Sequence, residues 1–315
     1  AGVSWRVGFW IGAILTVIGL VATLAWVAES DARIRNSRSS RKVNYAGVLL
    51  MGVGLTSLCI GVNESTTWGI FSGATMGFVL TGLALVALSF YWESKSQYPL
   101  LDVRKAFSTR LLPAYAVFVQ TGIIGLILFS TILGWGQTSP ETLGYGFGLT
   151  LFSTALLFTP YILAGFVAPR FTIPLLQKYP AKWVQLLSAV LSSVGILVIY
   201  LGHTSIPAVL VGILIYSFGF TAMVTVAVNV IAAEATAEQG AGTASVYVSM
   251  ALFASALGTA LYAAAISAGH GPMEPPTPAN YETALLIAVV ASFIGLISSF
   301  LLSSKVRLAR VEHGH

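Results

Sequence analysis

AEQGAGTASVYVSMALFASALGTALYAAA, Ala237 to Ala265, opens on a polar, glycine-broken turn and continues as a long run of alanines, serines and glycines. The rest of the chain is rich in Leu, Ile and Val, so bulky side chains are used freely everywhere but here. Side chains this small fill the core of a soluble protein poorly. In lipid a larger apolar residue gains nothing at a helix interface, and close backbone approach supplies the packing instead. Ala244, Ser245, Ser249, Ala254, Gly258 and Ala265 recur at near-helical spacing, which predicts a membrane helix with a small face turned to a neighbour. In this reading Gly240 and Gly242 break the preceding helix, Thr243 or Ser245 caps the next, and Gly258 is a packing position.

Composition agrees with that environment. Hydrophobic residues are 56% of the 315-residue chain and charged residues 9%, and the mean hydropathy is +0.85. Globular domains carry about 25% charged residues, so a soluble fold is excluded on composition. Short alternating segments of the kind a membrane barrel needs are missing. Apolar runs of about 20 residues recur instead, the length of a helical bilayer span. The expected fold is therefore an all-α polytopic membrane protein. Nine runs qualify: Trp5–Ala28, Asn44–Val62, Gly69–Trp92, Leu112–Trp135, Gly146–Ala168, Trp183–Leu201, Ile206–Ile231, Gly242–Ala268 and Thr283–Leu302. The first residue is Ala1, and the chain is read as starting part-way through a longer protein.

The positive charges fix an orientation. Arg33, Arg35, Arg38, Arg41 and Lys42 follow the first run, and Lys95, Arg104, Lys105 and Arg110 the third. Arg170, Lys178 and Lys182 follow the fifth, and Lys305, Arg307 and Arg310 the ninth. If the runs alternate across a bilayer, all of these fall on one side. The opposite loops, NESTTW, QTSPETLGY, HTS and GHGPMEPPTPANYE, hold no Lys or Arg, and only Arg6 breaks the pattern. The basic side is then cytoplasmic, the C-terminus lies inside, and the net charge of +5 reports topology rather than nucleic-acid binding.

Catalytic chemistry has little to draw on. Every acidic residue maps to a loop or a helix end, the single cysteine Cys59 lies in an apolar run, and the histidines His203, His270, His313 and His315 lie in loops or the tail. The chain has no HExxH helix, G-x-S-x-G elbow, P-loop lysine or Cys/His cluster, so neither an enzyme nor a metal or other cofactor is expected. The informative polar groups are uncharged and inside the runs. Tyr115, Phe118, Gln120 and Thr121 lie in the fourth and Thr159, Pro160 and Tyr161 in the fifth, while Tyr216, Phe220, Thr221, Thr225 and Asn229 form roughly one stripe on the seventh. Such groups bond across helices, back-bond to their own helix, or line a wet cavity. Pro113, Pro160 and Pro207 mark helix starts or kinks.

These pieces occur in a recognisable order. GVSWRVGFWIGAILTVIGL, Gly2 to Leu20, resembles the start of the sixth helix in the fourteen-helix drug:proton antiporters of the major facilitator superfamily, with Trp5-Arg6 as the pair that follows the family's glycine-rich motif. The basic linker, the Asn63–Trp68 turn and YPLLDVRKAF, Tyr98 to Phe107, are similar to the family's two extra central helices and the loop after them. AEQGAGTASVYVSMALFASALGTAL resembles its polar loop and penultimate helix. In GFVAPRFTIPLLQKYPAKW, Gly165 to Trp183, Gln177-Lys178 replace the family's Asp-Arg pair, so the positive charge is kept and the acid lost.

The resemblance implies a division of the chain. Residues 1–29 would be the last helix of an N-terminal bundle, 30–43 a basic cytoplasmic linker, and 44–92 two central helices. A cytoplasmic loop (93–111), a C-terminal six-helix bundle (112–303) and a cytoplasmic tail (304–315) would follow. It further implies a plasma-membrane transporter: proton-coupled, alternating-access efflux of lipophilic or amphipathic small molecules, with the missing N-terminal helices of the same fold as partner. The fourth and seventh helices would line the cavity through Tyr115, Phe118, Gln120, Thr121, Tyr216, Phe220 and Asn229, flanked by Tyr161 on the fifth, and Arg6 would be a pattern residue. The sixth and ninth helices would face lipid. A non-transporting membrane scaffold or partner-binding protein with the same fold is the other reading of these residues.

Overall fold

The computed structural model describes residues 6–26, 44–69, 72–95, 109, 111–234, 240–269 and 274–302. The basic linker, residues 96–108 and 110, and the tail therefore lie outside the described residues. The described chain is helical: α1 (Arg6–Trp26), α2 (Tyr45–Trp68), α3 (Gly73–Lys95), α4 (Leu112–Gln137), the single turn α5 (Pro140–Leu143), α6 (Leu151–Leu156), α7 (Thr159–Lys178), α8 (Ala181–Gly202), α9 (Ile206–Glu234), α10 (Gly240–Ser267) and α11 (Pro278–Leu301). It contains eight spans long and apolar enough to cross a membrane, with α6 and α7 counting as one, and α1 adds a shorter apolar stretch, Phe9–Ala25. The all-α membrane fold expected from composition is the fold found. α1 belongs to a compact unit of its own, and the remaining helices form the second.

Proline chemistry sets several starts. Pro113, Pro160 and Pro207 each occupy the second position of their helix, where the missing N–H has no intrahelical partner to lose. α2 is capped by Asn44, whose side-chain oxygen accepts from the Gly47 amide at 3.2 Å. At α11, Asn280 Oδ1 reaches back to accept from the Thr277 amide at 2.8 Å.

The fifth span differs from the sequence reading. It starts at Leu151 rather than Gly146, breaks at residues 157–158 just before Thr159-Pro160, and continues to Lys178, ten residues past Ala168. Pro169 and Pro174 lie inside α7 without ending it. Ala164, Ala168, Thr172 and Leu176 recur every four residues as its buried face, so packing against α9 runs continuously past both prolines and holds the helix. Gln177 and Lys178 therefore close a helix rather than sit in a loop.

α2 and α3 form a hairpin in close backbone contact. A methyl on Gly82 would sit 2.6 Å from the Leu58 side chain, Ser89 Oγ donates to the Gly47 carbonyl at 3.0 Å, and Ser57 Oγ to that of Phe78 at 2.8 Å. α2 also packs on α10.

The other helices form a bundle of two triplets, α4/α6–α7/α8 and α9/α10/α11. The first helix of each packs on the second and third helices of the other: α4 on α10 and α11, α9 on α7 and α8. The third helices, α8 and α11, pack on each other. This interchange gives the contacts an internal two-fold pattern. Two hydrophobic clusters fill the bundle. One, with Tyr115, Leu176, Val184, Met223 and Val230, occupies the end bearing the basic residues, and the other, with Ile127, Ile132, Ile199, Val209 and Leu285, the opposite end.

The sixth and ninth spans, expected to face lipid, each turn one face outward from the bundle. α8 turns Leu187, Val190, Val194 and Leu197 outward and buries Ser188, Ser192 and Gly195. α11 turns Leu286, Val290, Phe293 and Ile297 outward and buries Ser292, Gly295, Ser298 and Ser299. The physical reason is again lipid: bulky apolar groups are satisfied outside, and small ones permit contact inside.

Candidate functional site

The polar and aromatic residues singled out in the sequence fall into two groups. Those on α4 are interior. Tyr115 and Phe118 belong to the cluster at the basic end, and the Phe118 ring stacks on Tyr247 of α10 at 4.5 Å. Thr121 Oγ1 donates back to the Phe118 carbonyl at 3.0 Å. Gln120 is 1% exposed, and its amide lies against Gly295 of α11, in space that even a methyl group there would take. Glycine at 295 thus makes room for a buried amide whose Oε1 has no hydrogen-bond partner among the described residues.

The second group is open. Tyr161, on the first turn of α7, is 39% exposed. Its ring lies 5.6 Å from Phe220 of α9, and Phe220 lies 5.6 Å from the buried Tyr216 one turn before it. Three rings therefore run from the surface of the bundle to its interior. Beyond Phe220, the half-buried Thr221, Thr225 and Asn229 continue along α9. Thr225 Oγ1 donates to the Thr221 carbonyl and Asn229 Nδ2 to the Thr225 carbonyl, both at 2.8 Å. Such back-bonds satisfy these groups in lipid while leaving the amide oxygen and second amide hydrogen of Asn229 on the same side.

The packing residues sit on α10. A methyl on Gly258 would come 2.5 Å from the Ile123 carbonyl oxygen of α4, and one on Gly122 of α4 2.5 Å from the Ala251 carbonyl oxygen of α10. The small-residue run does bring two backbones together. Gly240, Gly242, Thr243 and Ser245 fall within α10, and residues 235–239 before it lie outside the described residues. Arg6 is the first residue of α1, and its side chain lies outside the described residues.

Two buried polar groups escaped the sequence reading. Glu93, in the last turn of α3, is buried and accepts from Asn44 Nδ2 of α2 at 2.6 Å. Gln185 of α8 is buried with neither amide atom hydrogen-bonded among the described residues. A lone amide in a 22-residue apolar helix was the available signal for Gln185. No group of three or more His, Cys, Asp or Glu side chains able to hold a metal occurs among the described residues.

Known proteins were compared with the chain. Over 190 residues it is 26% identical to the efflux pump terJ of Aspergillus terreus, covering 59% of this chain and 35% of that pump. Over 185 residues it is 22% identical to MdtD of Escherichia coli O81, a protein named for multidrug resistance, covering 58% of this chain and 36% of MdtD. MdtD of Salmonella paratyphi A matches at 22% over 180 residues. The chain is thus similar in sequence to a protein named as an efflux pump and to proteins named for multidrug resistance. The resemblance to drug:proton antiporters drawn from its motifs agrees with these relatives, of whose length the match covers about a third. No protein-family model matches the chain.

Proposed function

We propose that the chain is part of an exporter that moves lipophilic or amphipathic small molecules out of the cell by alternating access, driven by protons. The open aromatic face carries this reading. Tyr161, Phe220, Thr221 and Asn229 offer ring surface with a few uncharged hydrogen-bonding groups, the lining that suits a bulky apolar ligand. Sugars or phosphates would call for several amides or arginines. Tyr216 backs this face from inside, and Tyr115, Phe118, Gln120 and Thr121 hold α4 in register behind it. The relative named as an efflux pump supports the same direction of transport.

In this proposal the two triplets move as one body against the N-terminal helices of the full-length protein, about a site near the bilayer midplane. The Lys/Arg-bearing loops face the cytoplasm, as does the C-terminus, and the membrane is the plasma membrane. The protonated group that couples transport is assigned to the N-terminal helices, since no carboxylate of this chain falls mid-span.

The test is efflux of a lipophilic fluorescent cation from cells expressing the full-length protein. Phe220→Ala and Asn229→Ala should each lower efflux several-fold, and a protonophore should abolish it. Wild-type efflux in both variants would remove the site, and efflux unchanged by the protonophore would remove the coupling. A protein that is well expressed and moves nothing would favour a membrane scaffold.

A further inference from the structure

The end of the bundle opposite the basic loops is closed by an aromatic cluster around Trp135, near the end of α4. His203, at the end of α8, meets the indole edge-to-face with centroids 4.9 Å apart, and Tyr281 of α11 meets it at 5.5 Å. The segment after α5 folds back on α4, with the Phe147 amide donating to the Trp135 carbonyl at 3.2 Å. That brings Tyr145 to 5.3 Å from the indole. Gly146 permits the reversal: its φ is +94°, and a side chain there would strike the Thr138 carbonyl.

His203 is held by both nitrogens. Nδ1 lies 2.8 Å from the Tyr200 carbonyl oxygen, and Nε2 lies 3.6 Å from Glu282 Oε1 at the start of α11. A carbonyl only accepts, so Nδ1 must carry hydrogen. In the neutral ring Nε2 would then aim a lone pair at a carboxylate. Only the protonated imidazole keeps the Nδ1 bond and turns a positive charge to that carboxylate, at ion-pair distance. The ring is 14% exposed and Glu282 49%, so the proton can come from the medium on that side. Behind the ring, His203, Thr131, Trp135 and Tyr281 help line a small cavity. Thr131 Oγ1 and Trp135 Nε1 are buried without a hydrogen-bond partner among the described residues. The other titratable groups facing this cluster are phenols: Tyr145, Tyr281 and Tyr262, whose hydroxyl donates to the Ser130 carbonyl. Burial, with Tyr281 beside it, pushes the Tyr145 hydroxyl further up. Glu282 is therefore the only carboxylate the described contacts bring to the ring.

We propose that His203, with Glu282 as its counter-ion, is a proton-binding site that ties the end of α8 to the start of α11 when the adjoining medium is acid. α8 and α11 are the third helices of the two triplets, so the bound proton bridges the internal two-fold. That it faces the external medium rests on the topology proposed above; the site itself rests on the ring geometry.

The test uses the full-length protein in lipid vesicles, with every tryptophan except Trp135 replaced by Phe. Imidazolium in contact with indole quenches its emission. Acidifying from about pH 8 to 5 should dim Trp135. The dimming should vanish in His203→Gln and move to lower pH in Glu282→Gln, which loses the counter-charge. Emission that is flat with pH, or identical in His203→Gln, overturns the site. If the Phe-substituted protein does not fold, the unfolding temperature of the unsubstituted protein replaces emission: wild type should gain roughly 2 °C over His203→Gln at acid pH only, and parallel curves overturn the proposal. Acid applied to one face of the vesicle separates the two claims. Dimming from the face bearing the basic loops keeps the proton site and removes the topology.

Discussion

Two seams hold the bundle together, α4 on α10 and α8 on α9, and they announce themselves very differently. α10 is a run of Ala, Ser and Gly, and its contact with α4 uses Gly258, Ala254 and Ser255 against Gly122 and Ile123. α8 reads as an ordinary apolar helix, AKWVQLLSAVLSSVGILVIYLG. Yet Gly195 of α8 packs onto the Tyr216 backbone of α9, Gly219 of α9 onto the Ser192 backbone of α8, and Gly212 onto Ile199. The tighter seam is the one with fewer small residues. In lipid, close approach depends on a few small groups at helical spacing on one face, not on the average size of the helix. Only 17% of the apolar window of α10 is fully buried, against 44% of that of α8, and most of the remaining α10 residues are half-buried.

Substitutions at the glycines put that comparison at risk. The largest effect is expected at the α8–α9 seam. Gly195→Ala places its methyl against backbone that cannot swing away and should cost about 3 kcal/mol, with Gly258→Ala next at about 2 kcal/mol. Unfolding of purified protein in detergent measures both; a larger loss at Gly258 would reverse the ranking. Gly295→Ala should come third, at about 1 kcal/mol, because its methyl meets the Gln120 amide rather than backbone. Its penalty should shrink in a Gln120→Ala background, and strict additivity in that double-mutant cycle would show that the two do not share a space. Gly165→Ala, with nothing within 4 Å of the added methyl, should be neutral or stabilising by about 0.5 kcal/mol. Ile297→Leu, on the outward face of α11, should change nothing measurable.

Much of this architecture is legible in the chain itself. Apolar run length gave the spans, and Pro113, Pro160 and Pro207 fell at helix starts because proline is tolerated there. The end of the fifth span was not legible: proline ends a helix by local rules, and packing on α9, with Leu176 in one cluster with Met223 and Val230, carries α7 past Pro169 and Pro174. The serines of α8 and α11 likewise look like scattered polar residues until packing aligns them. For the site, residue type was readable and direction was not. Tyr161, Tyr216 and Phe220 stood out as aromatic groups beside polar ones, and the structure strings them into one line of rings. Gln120 stood out equally, but α4 is rotated so that its amide meets Gly295. Helix rotation is set by the neighbours, and a single helix sequence does not contain them. His203 looked like a loop histidine because Glu282 lies 79 positions along the chain and only folding brings the two to 3.6 Å.

The central claim is that the face bearing Phe220 receives the transported molecule. Thiol labelling tests it directly in the full-length protein, with all cysteines, Cys59 included, replaced by Ser and one cysteine introduced by Phe220→Cys. A transported lipophilic cation should slow labelling at position 220 by a maleimide and leave labelling of Leu187→Cys, on the outward face of α8, unaffected. Equal labelling rates at position 220 with and without the cation, at concentrations that saturate efflux, would contradict the account.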